Sequence, residues 1–351
     1  MAESYVIGVD FGSDSVRALI VNTETGENVG QGVACYPRWK AGLYQHPEYS
    51  IFRQHPLDYL ESLEKCITTA LAELTEEQKD HVIGIGVDTT GSTPVPVDKN
   101  GTPLALLDEF AENENAMFFL WKDHAAAAEA DEINKLFRNN SENDYTKYQG
   151  DYSAEWYWAK ILYAVRHDEA IRQAAYTWEE HCDWMTGILC GETRPEKIYH
   201  SACAAGHKAL WHSEWNGLPA ASVLEQLDPY LVQVRERYGN APQPSTVKVG
   251  TLCPEWAKKL GLKESTVISG SSFDAHAGAV GAGIQKKTFV CTMGTSCVDM
   301  FVEKPENLKG KDIQAYCGQA ENSILPGYVG VETGQAAFGD IFAWFKRLLE
   351  W

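Results

Sequence analysis

Two short stretches carry the residue types best suited to chemistry. Residues 8–19, GVDFGSDSVRAL, bring an apolar run to an aspartate, Asp10, turn through Gly12-Ser13-Asp14-Ser15 and resume as an apolar run. Residues 289–302, FVCTMGTSCVDMFV, repeat the pattern with Gly294-Thr295-Ser296 in the turn. Turns of this kind present successive backbone N–H groups in a concave nest, and hydroxyls add donors, so each could cradle a phosphate. Two cradles facing each other across a cleft would grip a polyphosphate. A carboxylate beside one of them, Asp10, could hold Mg²⁺, a hard cation that takes carboxylate and phosphate oxygens together. The plainer reading is that Gly-Ser turns simply close hairpins. For either turn alone that reading is the stronger; the pair, with Asp10 on the first, favours phosphate.

A second carboxylate of interest is Asp274, in TVISGSSFDAHAGAVGAG at residues 266–283. The stretch reads as a strand, an Asp-bearing loop and a helix of small residues that permits close approach. Asp274 suits a general base for a hydroxyl acceptor and equally an N-cap for that helix, and the roles can coexist. Lys208 in AGHKALW is a lone lysine among small and apolar residues, with snorkelling from a half-buried strand as its plain explanation. Glu332 in GVETGQ has the plain role of a solvated loop acid. Gly91 follows a strand ending at Asp88, and a glycine there lets backbone come close to a ligand. Trp121-Lys122-Asp123-His124 serves equally as a site wall or as a structural aromatic helix; for Trp156, Trp158 and Trp184 core packing is preferred.

The elements that must position these residues alternate between strand and helix. Residues 5–21 read as a hairpin and 37–52 as loop. From Pro56, Leu57, Leu60, Leu63, Ile67, Leu71 and Leu74 keep a helical three-to-four spacing. Residues 82–88, VIGIGVD, read as a strand buried on both faces, and 95–101 as a second hairpin. Residues 116–136 and 153–190 read as aromatic-rich helices. Strand–helix alternation resumes near residue 245, which indicates α/β layers. The Pro-rich 241–244 is the best linker, so we expect one domain over 1–244 and a second over 245–351, as the 351-residue length also suggests.

A formal charge of -19 argues against a nucleic-acid partner, which needs clustered Lys and Arg, though not against one small phosphate ligand. Nine cysteines without a CxxC pair read as reduced, mostly buried thiols. No signal peptide is visible and no apolar run approaches the ~20 residues of a membrane span, so the sequence reads as a soluble cytoplasmic protein. The absence of GxxxxGK[ST], GxGxxG after a strand, HExxH and GxSxG weakens P-loop kinase, dehydrogenase, zinc protease and serine hydrolase readings.

Taken together, DFGSDSVRAL, YPRW, QHPLDYLES, VIGIGVDTTGSTPVPVD, NAMFFLWKDHAA, AGHKALWH, GTLCPEWAKKLGL, SFDAHAGAVGAG, MGTS and ETGQAAFGDIFAWF resemble the FGGY carbohydrate kinases, in order and across nearly the whole chain. The likeness is strongest to members that phosphorylate L-ribulose. It implies an α/β actin/Hsp70-like (ribonuclease H-like) ATPase fold with two domains around a cleft. It implies ATP and Mg²⁺ as cofactors, L-ribulose as acceptor in L-arabinose breakdown, and room for a homodimer. By resemblance, Asp10, Gly12, Ser13, Ser15 and Arg17 form phosphate site one, with Asp10 supporting Mg²⁺. Gly294, Thr295 and Ser296 form phosphate site two. Asp274 becomes the general base, and Gly91, Lys208, Asp274 and Glu332 the sugar contacts. Family members run beyond residue 351, so the resemblance also implies an incomplete second domain, a mostly absent adenosine pocket and weak or no turnover. The rivals are another FGGY specificity (D-ribulose, xylulose or glycerol) and a non-catalytic actin-fold module that binds nucleotide or sugar.

Overall fold

The computed structural model describes residues 3–350 except 142, 295, 310, 312, 314, 315 and 336 and the side chain of residue 340. Its larger sheet runs Lys248–Thr251, Val267–Ser269, Val82–Thr89, Tyr5–Phe11, Ser15–Asn22, Asn28–Cys35, and Ser272–Phe273 also pairs onto Val82–Thr89. The first hairpin forms as its sequence predicts, with Asp10 opposite Arg17. Period-two alternation turns Tyr5, Ile7, Val9 and Phe11 into the core and leaves Asp10 on the other face. Val82–Thr89 lies parallel to it and sets Asp88 beside Asp10. This strand is not covered on both faces as expected. Ile85, Val87 and Thr89 are buried, Ile83 is exposed, and Gly84, Gly86 and Asp88 share the partly open face.

The helix Pro56–Leu71 covers the core face of the sheet. His55 caps it by accepting from the Leu57 amide at 3.1 Å, and Pro56 fills the first turn. Tyr59, Leu63, Cys66, Ile67 and Ala70 then bury one stripe. A second core forms around Trp158, Ile161, Trp178 and Leu231, mostly from helices between residues 127 and 236.

Several local expectations give way to long-range pairing. Residues 37–52 hold a short helix, Pro37–Lys40, and the strand Ile51–Gln54 begins at their end. The latter pairs with Phe118–Phe119, so the helix anticipated from residue 116 starts only at Ala127–Arg138. The strand Thr177–Glu180 interrupts the second aromatic stretch and pairs with Pro94–Val97. At 95–101 the expected hairpin is reduced to its turn, with the Asp98 amide on the Thr102 carbonyl at 2.9 Å and a single antiparallel bridge from Val97 to Pro103. Pro94 and Pro96 lack N–H groups on one edge, which leaves a single edge able to donate, and Thr177–Glu180 takes it.

A separate antiparallel sheet runs Val290–Met293, Cys297–Glu303, Val329–Gln335, Gly318–Glu321. Its small core contains Ala279, Ile284, Met300, Val302 and Ile324. The division expected after residue 244 does not follow the sheets. Val267–Ser269 and Ser272–Phe273 pair in parallel with Val82–Thr89, so the change of sheet comes between Gly281 and Val290. The 241–244 stretch is tied in as well, through the Gln243 amide and the His200 carbonyl at 2.9 Å. All nine cysteines are free thiols. Among the described residues no helix is long and apolar enough to cross a membrane.

Candidate functional site

A cleft of about 840 Å³ opens between the two sheets. Asp10, Gly12, Ser13, Arg17 and Gly91 line one wall, Gly294, Ser296 and Glu332 line the other, and Lys208 and Asp274 also face it. Ser15 does not reach the cleft. It is buried at the start of its strand, and its carbonyl accepts the Gly12 amide at 3.0 Å, so it closes the turn instead of offering a hydroxyl. Thr295 lies outside the described residues. The second turn is closed by a tighter bond, Gly294 amide to Ser296 carbonyl at 2.8 Å.

The first turn is held from behind by aromatic and amide donors. Tyr36 Oη donates to the Gly12 carbonyl at 3.0 Å, Gln54 Nε2 to the Ser13 carbonyl at 2.6 Å, and Trp39 Nε1 to Asp14 Oδ1 at 2.6 Å. Trp121 Nε1 donates to Ser13 Oγ at 2.9 Å, so this residue both lines the cleft and fixes the turn. Its neighbour Asp123 is instead buried in an ion pair with Arg53. With the turn carbonyls engaged, the Ser13 and Asp14 amides donate to no other described residue.

Carboxyl groups gather on this wall. Register sets Asp88 beside Asp10, and Asp274 opens the helix Asp274–Gly281. Phe273 holds the cap position; among the described residues Asp274 Oδ1 accepts only from its neighbour Ala275, at 2.6 Å. Burial, with the charge of Asp10 adding to it, pushes Asp274 up to about 6. Burial and then the charges of Asp10 and Asp274 push Asp88 well above the usual carboxylate range. Arg17 Nη1 offsets part of this by meeting Asp10 Oδ2 at 2.9 Å in a solvent-exposed pair. An all-oxygen set of mutually repelling carboxyls beside open backbone amides fits Mg²⁺. Sequence reasoning misses Asp88 as a site residue, although a second apolar strand ending in aspartate is its signal.

Lys208 ends the helix Ala202–Lys208 and is 5% exposed, which removes the snorkelling explanation. Glu332 lies within the strand Val329–Gln335 and is 7% exposed, so it is no loop acid. Lys208 Nζ stands 3.1 Å from Glu332 Oε1 and 5.0 Å from the centre of the Trp156 ring. Burial alone would raise the Glu332 pKa, but Lys208 and the neighbouring His276 and His207 hold it well below the usual range. Burial likewise opposes charge on Lys208, and Glu332 more than compensates. His207 is held well down by burial and then by His276. Trp158 and Trp184 are core residues as expected, whereas Trp156 also faces the cleft.

Gly91 earns its place by contact. A Cβ there would lie 1.9 Å from Phe273 Cε1, so only glycine brings this loop against the residue preceding Asp274. The loop is fixed behind Gly91. Glu180 accepts from the Ser92 hydroxyl and, at 2.9 Å, from the Thr93 amide, while Lys160 Nζ donates to the Ser92 carbonyl at 2.7 Å.

Residues 5–281 match the N-terminal domain, and residues 289–350 the C-terminal domain, of the FGGY family of carbohydrate kinases. A ribulokinase of Vibrio parahaemolyticus is 48% identical over 350 residues, covering 99% of this chain and 62% of that protein. One of Shouchella clausii is 35% identical over 353 residues, covering 98% and 60%. The chain thus spans about three-fifths of the length of these relatives. Among solved structures, a xylulose kinase from Rhodospirillum rubrum superposes with a TM-score of 0.74 at 18% identity, covering 98% of this chain and 63% of that one. Plasmodium falciparum glycerol kinase with ADP also gives 0.74, at 13% identity and with the same coverage of 98% and 63%.

Proposed function

This chain belongs to the FGGY family of carbohydrate kinases, and from that premise we propose that its cleft transfers the γ-phosphoryl group of ATP to L-ribulose, giving L-ribulose 5-phosphate. Its fold is the two-lobed actin/Hsp70-like one. The observation that carries the reading is the meeting of two glycine turns and the Asp10, Asp88 and Asp274 carboxyls in one cleft with a buried Lys208–Glu332 pair.

In this reading the turns take the phosphate chain from opposite sides, through the Ser13 and Asp14 amides on one and the Gly294–Ser296 turn on the other. Asp274 accepts the proton of the terminal ketose hydroxyl, O5, as that oxygen attacks the γ-phosphorus. A new O–P bond forms, the bond to the β–γ bridging oxygen breaks, ADP leaves, and the proton rests on the Asp274 carboxyl. A value of about 6 suits a general base, which is then ionised at neutral pH yet basic enough to take the proton. Asp10 and Asp88 would hold Mg²⁺, which when bound supplies neutralisation of phosphate charge. Lys208 and Glu332 orient the ketose oxygens, and Trp156 offers an apolar face beside them. Such a product belongs to L-arabinose breakdown.

The test is sugar-dependent ADP release by the intact protein with MgATP, run over ketoses and polyols. L-Ribulose is expected to give the highest kcat/KM. A clear preference for D-ribulose, xylulose or glycerol would replace the substrate, and release that no sugar stimulates would end the kinase reading.

A further inference from the structure

Phosphoryl transfer as read above gives no role to two histidines at the cleft's inner wall. His207 and His276 flank Glu332, and the ligand atoms of all three lie within 4.8 Å of one another. Among the described residues, both nitrogens of each ring and Glu332 Oε2 are buried with no hydrogen bond of good alignment. Their partners in the chain are chiefly one another, with Cys203 beside His276, so what the geometry marks is three ligand-type side chains gathered in one buried place. The spacing indicates which kind. Glu332 Oε2 stands 3.4 Å from His207 Nδ1 and 3.2 Å from His276 Nε2. Ligands bound at about 2.0–2.1 Å in a tetrahedron around Zn²⁺ are about 3.3 Å apart. The remaining edge joins two rings with centroids 4.7 Å apart, tilted by 50°, and is the longer side of the triangle at no more than 4.8 Å.

We propose that His207, His276 and Glu332 form a binding site for a late first-row divalent metal ion of the Zn²⁺ type, with its fourth position open to the cleft. Two imidazoles and one carboxylate suit Zn²⁺, whereas Mg²⁺ asks for oxygen ligands. His276 and Glu332 line the cleft and give the ion a way in, while His207 sits behind them. Room for the His207 ring comes from Gly318, where a Cβ would lie 2.1 Å from Nδ1. Lys208 meets the other carboxylate oxygen, Oε1, at 3.1 Å. An ion on Oε2 therefore repels the Lys208 ammonium and disrupts the pair, which makes the site inhibitory towards any ligand that Lys208 and Glu332 hold. The site rests on side-chain geometry alone and stands whether or not the acceptor is L-ribulose.

The probe is Co²⁺, added to the intact protein without nucleotide or sugar and then displaced by Zn²⁺. One ion per chain with the visible absorption of four-coordinate Co²⁺ is expected. His207→Gln and His276→Ala should each weaken binding by more than the roughly 10- to 100-fold cost of losing an outer-shell partner. Asp10→Asn should bind the ion as wild type does. X-ray absorption of the Zn²⁺-loaded wild type should show imidazole and oxygen neighbours. Absence of a four-coordinate spectrum, thiolate neighbours, or histidine variants that bind like wild type would overturn the site. The wild-type spectra decide even if a variant fails to fold.

Discussion

The two glycine turns share a closing hydrogen bond and differ in almost everything around it. The first joins Tyr5–Phe11, paired on both edges, to Ser15–Asn22, and Tyr36, Trp39, Gln54 and Trp121 grip it from other elements. The second hangs from Val290–Met293, an edge strand whose Met293 is 68% exposed. Among the described residues no side chain of another element hydrogen-bonds its backbone. One wall is thus built before any ligand arrives, whereas among the described residues the strand that carries the other turn is hydrogen-bonded only to its partner strand Cys297–Glu303. Preorganised groups act on the chemical step without reorganising, so the fixed wall should set the rate and the looser wall should chiefly set nucleotide affinity.

Changes on the fixed wall are the strongest way to test that division. Asp274→Asn should lower kcat by roughly 100- to 10,000-fold with sugar binding retained, measured by sugar-dependent ADP release and by calorimetry. A loss of only a few-fold would move the base elsewhere. The same group sets the pH dependence. As the proposed base Asp274 must be ionised to accept a proton, and burial pushes its value up to about 6. Activity should therefore be level above that pH and fall about tenfold per unit below it. Gly91→Ala drives a methyl group into the Phe273 ring. It should destabilise the fold by about 1–3 kcal/mol in denaturant unfolding and raise the KM for sugar more than that for ATP.

The smallest effects divide the turns most finely. Trp39→Phe removes the donor to Asp14 and should cost about 1 kcal/mol of stability, with kcat falling alongside. Ser296→Ala should raise the KM for ATP about fivefold, near 1 kcal/mol, with kcat unchanged. A kcat loss from Ser296→Ala larger than that from Trp39→Phe would reverse the division between the walls.

Much of this is legible in the sequence because it is local. Alternating apolar residues turn Asp10 away from the core, and small residues after Asp274 mark a helix that allows close approach. What is not legible depends on distant partners. Pro94–Val97 looks like half of a hairpin because its true partner, Thr177–Glu180, is far along the chain. Ser15 looks like a phosphate donor, but strand pairing turns it inward. His207, His276 and Glu332 come from two helices and a strand, so no ligand spacing announces them. Trp156 reads as core because nothing nearby in sequence reveals that Lys208 lies over its ring.

The most direct measurement is a crystal structure of the intact protein with Mg²⁺, a non-hydrolysable ATP analogue and L-ribulose. The terminal ketose hydroxyl should lie about 2.6–3.2 Å from the Asp274 carboxylate, with the γ-phosphate reaching both Ser13 and Ser296. A nucleotide bound outside this cleft, or a ketose whose hydroxyls stay beyond reach of Asp274, would contradict it.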